Sequence, residues 1–394
     1  MKETPVLFTS SEYAERLANV RRRMEAKGLS ALLVTDPANL NYLTGYNAWS
    51  FYTPQVLFVP LEGDMLFFLR AMDAQGAFRT AWLPPETMIG YPESFVHRSH
   101  LHPFDWVADA LRERGLVEPN RVGLEMDSQF FSPKAYRSLQ TGLPEWDFVD
   151  ADELVNWVRV TKSAAELDQM RQAALVCESA MTAAVENVQV GVRQCDAAAA
   201  ISHAQISGTP AAGGDYPAIV PMLPTGEAAD TPHLTWNDQP FEAGQAVVVE
   251  LAGAYHRYHV PMARTIVLGT PSTELAGLAD AINDGLSAVL DLVRPGVATR
   301  ALAEAWTRTL ADYGLEKPSR IGYSIGLAYP PDWGERTVSL RTEDDTILEE
   351  NMTFHLIGGM WMENFGCELS EAIRVTASGV ETFTNFPRRL LTSS

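Results

Sequence analysis

Residues 231–269 read TPHLTWNDQPFEAGQAVVVELAGAYHRYHVPMARTIVLG. Within them Ala246–Leu251 and Ala263–Leu268 are short apolar runs rich in β-branched residues, bracketed by Gly244 and Gly269. Runs of that length and composition between turn residues predict two buried strands rather than a helix. His256 and His259 flank the connection, where their spacing predicts an exposed hairpin end and not a metal site. One residue breaks the apolar pattern: Glu250 closes the run Val247-Val248-Val249. A carboxylate emerging from such a strand is desolvated, which raises its basicity.

Beyond this pair, helical periodicity at Thr273–Val293 and Thr299–Tyr313 gives way to strands near Thr353–Ile357 and Glu371–Val375. Before it, Ser163 and Glu166 form a capping box that opens a long helix from Ala164 toward Val188. A helix over Asp196–Ser207 and a Gly/Pro-rich passage at 208–226 follow. Strands and helices grouped in this way predict an α+β domain. Upstream of the seam VNWVRVTKSAAELDQMRQAA (155–174) the elements alternate instead. Strands are expected at Ala31–Val34, Val56–Val59, Met65–Leu69, Val122–Leu124 and Phe148–Val149. Helices are expected after a cap at Ser10 or Ser11, from Asp36-Pro37, and over Asp73–Trp82 and Phe104–Arg114. That alternation predicts an α/β N-terminal domain over 1–158, followed by a second domain over 159–394.

The chain's 394 residues are 46 % hydrophobic and 20 % charged, ordinary globular composition for two domains. A net charge of −20 argues against nucleic acid or an anionic membrane as partner. Cys177, Cys195 and Cys367 are scattered and include no CxxC pair, so buried reduced thiols are expected, not disulfides or a thiolate zinc site. The N-terminal MKETPVLFTSSEYAERL lacks an apolar targeting core and no run approaches membrane-spanning length, so a cytoplasmic protein is expected.

Three segments together resemble the creatinase-like pita-bread family, which includes methionine aminopeptidase, aminopeptidase P, prolidase and creatinase. They are residues 231–269, SRIGYSIGLAYPPDWGE (319–335) and ENMTFHLIGGMWMENFGCELSEAIRVT (350–376). The resemblance implies a creatinase-like N-terminal domain followed by a pita-bread catalytic domain. Metal-dependent members hold two divalent ions with two Asp, one His and two Glu. Laid over that pattern, the five positions hold Glu250, Pro261, Tyr323, Ile357 and Ser370, with Glu371 beside the last. Proline and isoleucine offer no side-chain donor and a neutral tyrosine is a poor ligand for such ions. No metal and no other cofactor is therefore expected, as in creatinase, which hydrolyses a guanidinium carbon–nitrogen bond.

Without a metal, side chains must supply the nucleophile and handle protons. The resemblance gives Glu250 the role of nucleophile or general base, His233 that of proton shuttle, and Tyr323 that of donor to a developing oxyanion or leaving nitrogen. Glu363 and Glu371 are expected to grip a cationic substrate. NLNYLTGYNAWSFYTPQ (39–55), with the two other segments, resembles the ectoine-hydrolysing branch of the family. That implies a small zwitterionic substrate, a cyclic amidine bearing a carboxylate. Aromatic faces suit a delocalised amidinium, and Trp49, Phe51 and Tyr52 are expected to offer them, from the partner subunit if the chain is the homodimer the family implies. Alternatives on the same scaffold are a creatine amidinohydrolase, another small-osmolyte hydrolase or lyase, or an inactive binding module.

Overall fold

The computed structural model describes residues 6–116, 118 and 121–393. Met1–Pro5, on which the reading of the N-terminus partly rests, lie outside the described residues. The chain divides into two compact units, the first ending at Arg159 and the second starting at Val160.

In the first unit α1 (Ser10–Ala26) leads to β1 (Ala31–Val34), α2 (Pro37–Thr44), β2 (Val56–Pro60), β3 (Leu66–Arg70) and α3 (Ala74–Thr80). Then come β4 (Met88–Tyr91), α4 (Pro103–Glu113), β5 (Arg121–Leu124), α5 (Pro133–Gly142), β6 (Asp147–Asp150) and α6 (Leu154–Arg159). The cap of α1 is Thr9, whose hydroxyl accepts from the Glu12 amide, one residue before the expected serines. Asp36 caps α2 by accepting from Ala38 N at 2.8 Å, with Pro37 at the first helical position where its missing N–H costs nothing. The sheet runs β4-β3-β2-β1-β5-β6 and is mixed: β1 pairs antiparallel with β2 and parallel with β5.

The second unit opens with α7 (Ala164–Asn187), where Ser163 and Glu166 complete the capping box, and α8 (Gln194–Ser207). It continues through β7 (Ala246–Tyr255), β8 (Tyr258–Leu268), α9 (Thr273–Leu290), α10 (Thr299–Asp312), β9 (Gly322–Tyr329) and β10 (Asp332–Ser339). β11 (Thr353–Met362), β12 (Phe365–Val375), β13 (Val380–Thr382) and β14 (Leu391–Ser393) close the chain. Along the sheet the order is β13-β12-β11-β9-β8-β14, with β7 on β8 and β10 on β9. A small-residue face of α7 (Ala173, Ala174, Cys177, Ala180) is buried. Gly253 of β7 meets it so closely that a Cβ there would collide with the backbone of Ala173 and Cys177.

Two long hairpins carry the register of the second unit. In β7–β8 the turn residues His256 and Arg257 both take positive φ, +46° and +67°, the backbone that a tight two-residue hairpin needs. Arg257 is held there because its buried guanidinium lies over the rings of Tyr216 and Tyr329, at 4.1 and 4.6 Å, and donates to Ala328 O. The expectation of an exposed hairpin end is corrected for His259, which is fully buried and accepts the Ala218 amide at Nε2, 2.9 Å away. In β11–β12 the turn is Glu363-Asn364, which sets Ile357 opposite Ser370 and Gly359 opposite Glu368. Cys177 and Cys367 are buried free thiols, whereas Cys195 is partly exposed.

Candidate active site

A cavity of about 670 Å³ in the second unit is lined by Met222, His233, Glu250, Lys317, Arg320, Tyr323, Trp333, Ile357, Trp361 and Glu368, among others. Glu250 sits in mid-β7 and is 8 % exposed. Its backbone is clamped by a bridge to Met222, N to O at 3.1 Å and O to N at 2.9 Å, so the Gly/Pro-rich passage is stitched to the strand at this point. Glu368 faces the same cavity from β12 and is 3 % exposed.

Burial pushes the Glu250 carboxyl well above the usual carboxylate range, and the neighbouring Glu368 charge pushes it further. Burial raises Glu368 to about 7, against the pull of the Lys317 ammonium. Two desolvated carboxyls this close do not both ionise at neutral pH without a cation between them. They titrate as a pair. Lys317 is itself lowered by burial and donates to Gly359 O at 2.7 Å. Arg320, exposed at the mouth, lies over the Tyr323 ring at 4.3 Å. The cavity thus carries the buried carboxyls of Glu250 and Glu368, with the cationic Lys317 and Arg320 and the side chains of Asp332 and His233 also along its lining.

Tyr323 comes from β9 and is buried, its hydroxyl accepting from Trp333 Nε1 at 2.6 Å. The hydroxyl also lies 3.2 Å from His355 Nδ1, and His355 Nε2 lies 2.8 Å from Ser370 Oγ. Burial, then the Glu250 charge, raise the phenol well above 10, so it stays neutral. His233 lines the cavity from an exposed loop with φ +67°.

The structure therefore brings Glu250, His233 and Tyr323 to one cavity and corrects two other expectations. Glu363 is in the β11–β12 turn, exposed and outside the cavity lining, because the hairpin reverses there. Glu371 is opposite Leu356 rather than Ile357, and alternation along a strand puts it on the other face from Ser370 and Glu368. There it forms a buried ion pair with Arg264, 3.2 Å apart, and burial still outweighs that arginine in raising its pKa. Trp49, Phe51 and Tyr52 line a different cavity, about 420 Å³, within the first unit, so a single chain's second-unit cavity does not contain them. Glu368, Lys317, Trp333 and His355 were missed. Glu368 was legible as the residue two positions before Ser370, on the same side of a strand.

The residues at the family's metal positions do not fit a dinuclear centre. Pro261 and Ile357 have no donor atom, Tyr323 is held as the neutral phenol, and the Ser370 hydroxyl accepts from the Ala263 amide at 2.7 Å. Among the described residues no group of three or more His, Cys, Asp or Glu could hold an ion. No helix among them is long and apolar enough to cross a membrane.

An α/β unit preceding an eight-stranded hairpin sheet with helices and a central acidic cavity defines the creatinase/prolidase class of two-domain hydrolase scaffolds. The chain belongs to metallopeptidase family M24, whose pattern matches residues 168–377, and carries a creatinase/prolidase N-terminal domain over residues 16–161. It is 43 % identical to an ectoine hydrolase of Halomonas elongata, over 99 % of each chain. It is 42 % identical to an uncharacterised hydrolase/peptidase of Sinorhizobium fredii, over 98 % of each. The fold is that of the Mycobacterium ulcerans dipeptidase PepE (TM-score 0.80, 24 % identity, 98 % of this chain and 99 % of that one). The Pyrococcus horikoshii prolidase shares it too (TM-score 0.80, 19 % identity, 96 % and 100 %).

Proposed function

We propose that this protein is a hydrolase of a non-peptide carbon–nitrogen bond, opening the cyclic amidine ring of ectoine to N-acetyl-diaminobutyrate without a metal ion. The observation that carries the proposal is the charge pattern of the cavity: Glu250 and Glu368 inside, Lys317 and Arg320 along its wall. An amidinium between the two carboxyls supplies the cation that lets both ionise. The substrate's own carboxylate then falls to Arg320 or Lys317. The scissile amide of a peptide is itself uncharged, unlike an amidinium carbon, and the lost metal ligands remove the means of activating water for peptide hydrolysis. The 43 % identity to an ectoine hydrolase supports the same substrate.

Binding of the cation converts Glu250 from a neutral acid into a carboxylate in a dry site, where it is a strong base and nucleophile. It attacks the amidinium carbon directly or takes a proton from water that attacks. In the direct route Glu250 bonds to the carbon and one ring C–N bond breaks as its nitrogen takes a proton. Water then cleaves the Glu250–carbon ester link, freeing the carboxylate and leaving the open-chain amide. In the other route the water oxygen bonds to the carbon, its proton passes by way of Glu250 to the leaving nitrogen, and the same C–N bond breaks. His233, on the exposed wall, serves as the shuttle between that nitrogen and solvent. Trp49, Phe51 and Tyr52 belong to the proposal as cation-facing rings contributed by a second copy of the chain in a cytoplasmic homodimer.

Incubating the protein with ectoine and, separately, with creatine while following products by NMR tests the reaction. Ring-opened N-acetyl-diaminobutyrate from ectoine and no urea from creatine is the expected outcome. Turnover of creatine alone would overturn the substrate assignment. Mixing inactive Glu250→Gln with Trp49→Ala protein tests the shared site. Activity above that of either alone is expected, since mixed dimers then hold one intact site, and no recovery would refute it.

A further inference from the structure

The hydrogen bonds behind Tyr323 run in one direction. Ser370 is fully buried, and its Oγ accepts the Ala263 amide at 2.7 Å. The remaining partner of that hydroxyl is His355 Nε2 at 2.8 Å, so the serine proton must go there or be left buried without an acceptor. His355 is fully buried, and burial together with Arg264 and Arg320 drives it down to about 3, so the ring is neutral. A neutral imidazole that accepts at Nε2 carries its proton on Nδ1. That N–H donates to the Tyr323 hydroxyl 3.2 Å away, which also receives Trp333 Nε1–H at 2.6 Å. With both lone pairs of Oη taken, the tyrosine's own proton has only the cavity to turn to, where Glu250 is the neighbouring carboxyl.

We infer that Ser370 and His355 are positioning residues that fix Tyr323 as a hydrogen-bond donor into the cavity. Tyr323 and Ser370 occupy two of the positions where metal-dependent relatives carry ligands, and His355 joins them into one relay. Their present task is to present an O–H to the carboxylate of Glu250 or to the atom on which negative charge develops. No proton is transferred along the relay in this role; the chain of donors sets an orientation. The inference deepens the proposed reaction and rests on that reading for its kinetic consequence, but the tautomer of His355 does not.

The test has two readouts. Long-range 15N NMR of the free wild-type protein, labelled at histidine, is expected to show His355 protonated on Nδ1 and neutral throughout pH 6–8. Protonation on Nε2 would overturn the inference whatever the substrate proves to be. Kinetically, Ser370→Ala is expected to lower kcat at least about tenfold with KM nearly unchanged, because alignment is lost at the transition state and not in binding. Tyr323→Phe is expected to cost as much, and adding Ser370→Ala to Tyr323→Phe to cost nothing more, since both act through one hydroxyl. Additive losses would mean that Ser370 acts on folding or packing instead, and would refute the relay. Should Ser370→Ala fail to fold, His355→Asn, which keeps a donor near Nδ1, is expected to retain more kcat than His355→Phe; equal loss would count against the inference.

Discussion

Glu368 gives the sharpest test of how the cavity handles charge. Holding its carboxyl neutral up to about pH 7 instead of the ordinary 4.5 corresponds to about 3 kcal/mol against the charged form, at ~1.36 kcal/mol per pH unit. A bound amidinium must overcome that cost and does so by pairing with the ionised group. In Glu368→Gln the cost disappears together with the attraction. The substrate cation is left with one carboxylate, and removing one partner of a buried pair costs ~3–5 kcal/mol. The expected result is a loss of at least about a hundredfold in kcat/KM, mostly through KM, since in the proposed reaction Glu368 holds the cation and Glu250 does the chemistry. The pH profile should change as well. In the wild type kcat/KM for ectoine should rise with pH through about 7, as the free enzyme's carboxyl pair loses its proton. In the variant Glu250 loses a like-charged neighbour, its pKa falls, and the rising limb should shift to lower pH. Product NMR or amine release across pH 5–9 measures both. A variant with unchanged KM and an unshifted limb would show that Glu368 does not face the substrate cation.

Glu250→Gln should leave the fold intact, since glutamine has the same size and β7 is held by its ladder, but should lower kcat by at least ~10²-fold, the usual yield of general-base or covalent catalysis. Retention of more than a tenth of wild-type kcat would move the base elsewhere, to Glu368 or His233. Glu371→Gln acts on the opposite face: it removes the carboxylate paired with the buried Arg264 guanidinium, which keeps its bonds to the carbonyls of Ala263, Ser370, Phe386 and Pro387, and should lower stability by ~1–3 kcal/mol. Its KM for ectoine should not change, so thermal unfolding and steady-state kinetics on the same preparation separate the two carboxylates.

The hairpin at 231–269 shows what a sequence can reveal. A valine run ending in glutamate suits either a strand-end acid at the surface or a buried carboxylate; the structure buries Glu250, in mid-β7 and not at the strand's end. The capping box at Ser163 and Glu166 is equally local and equally readable. Glu368 and Glu371 differ by three positions, and only the register of β11 against β12 decides which faces the cavity. That register is set at Glu363-Asn364, a turn without the glycine that marks most two-residue hairpins. β9 and β10 carry weak sequence signals, because the first is interrupted by Gly326 and the second is an edge strand with the polar run Glu335-Arg336-Thr337 in its middle. His355 and Trp333 matter through contacts with Tyr323 from other strands, and one-dimensional spacing carries no trace of those contacts.

In the proposed reaction carboxylates hydrolyse ectoine at positions where metal-dependent relatives of this scaffold hold ions. Measuring turnover of ectoine by chelator-treated protein, with the metal content of the same sample determined by mass spectrometry, tests it most directly. Undiminished ring opening is expected with iron, manganese, cobalt and zinc each far below one ion per chain. Loss of activity on chelation, restored by adding back one of these ions, would contradict it.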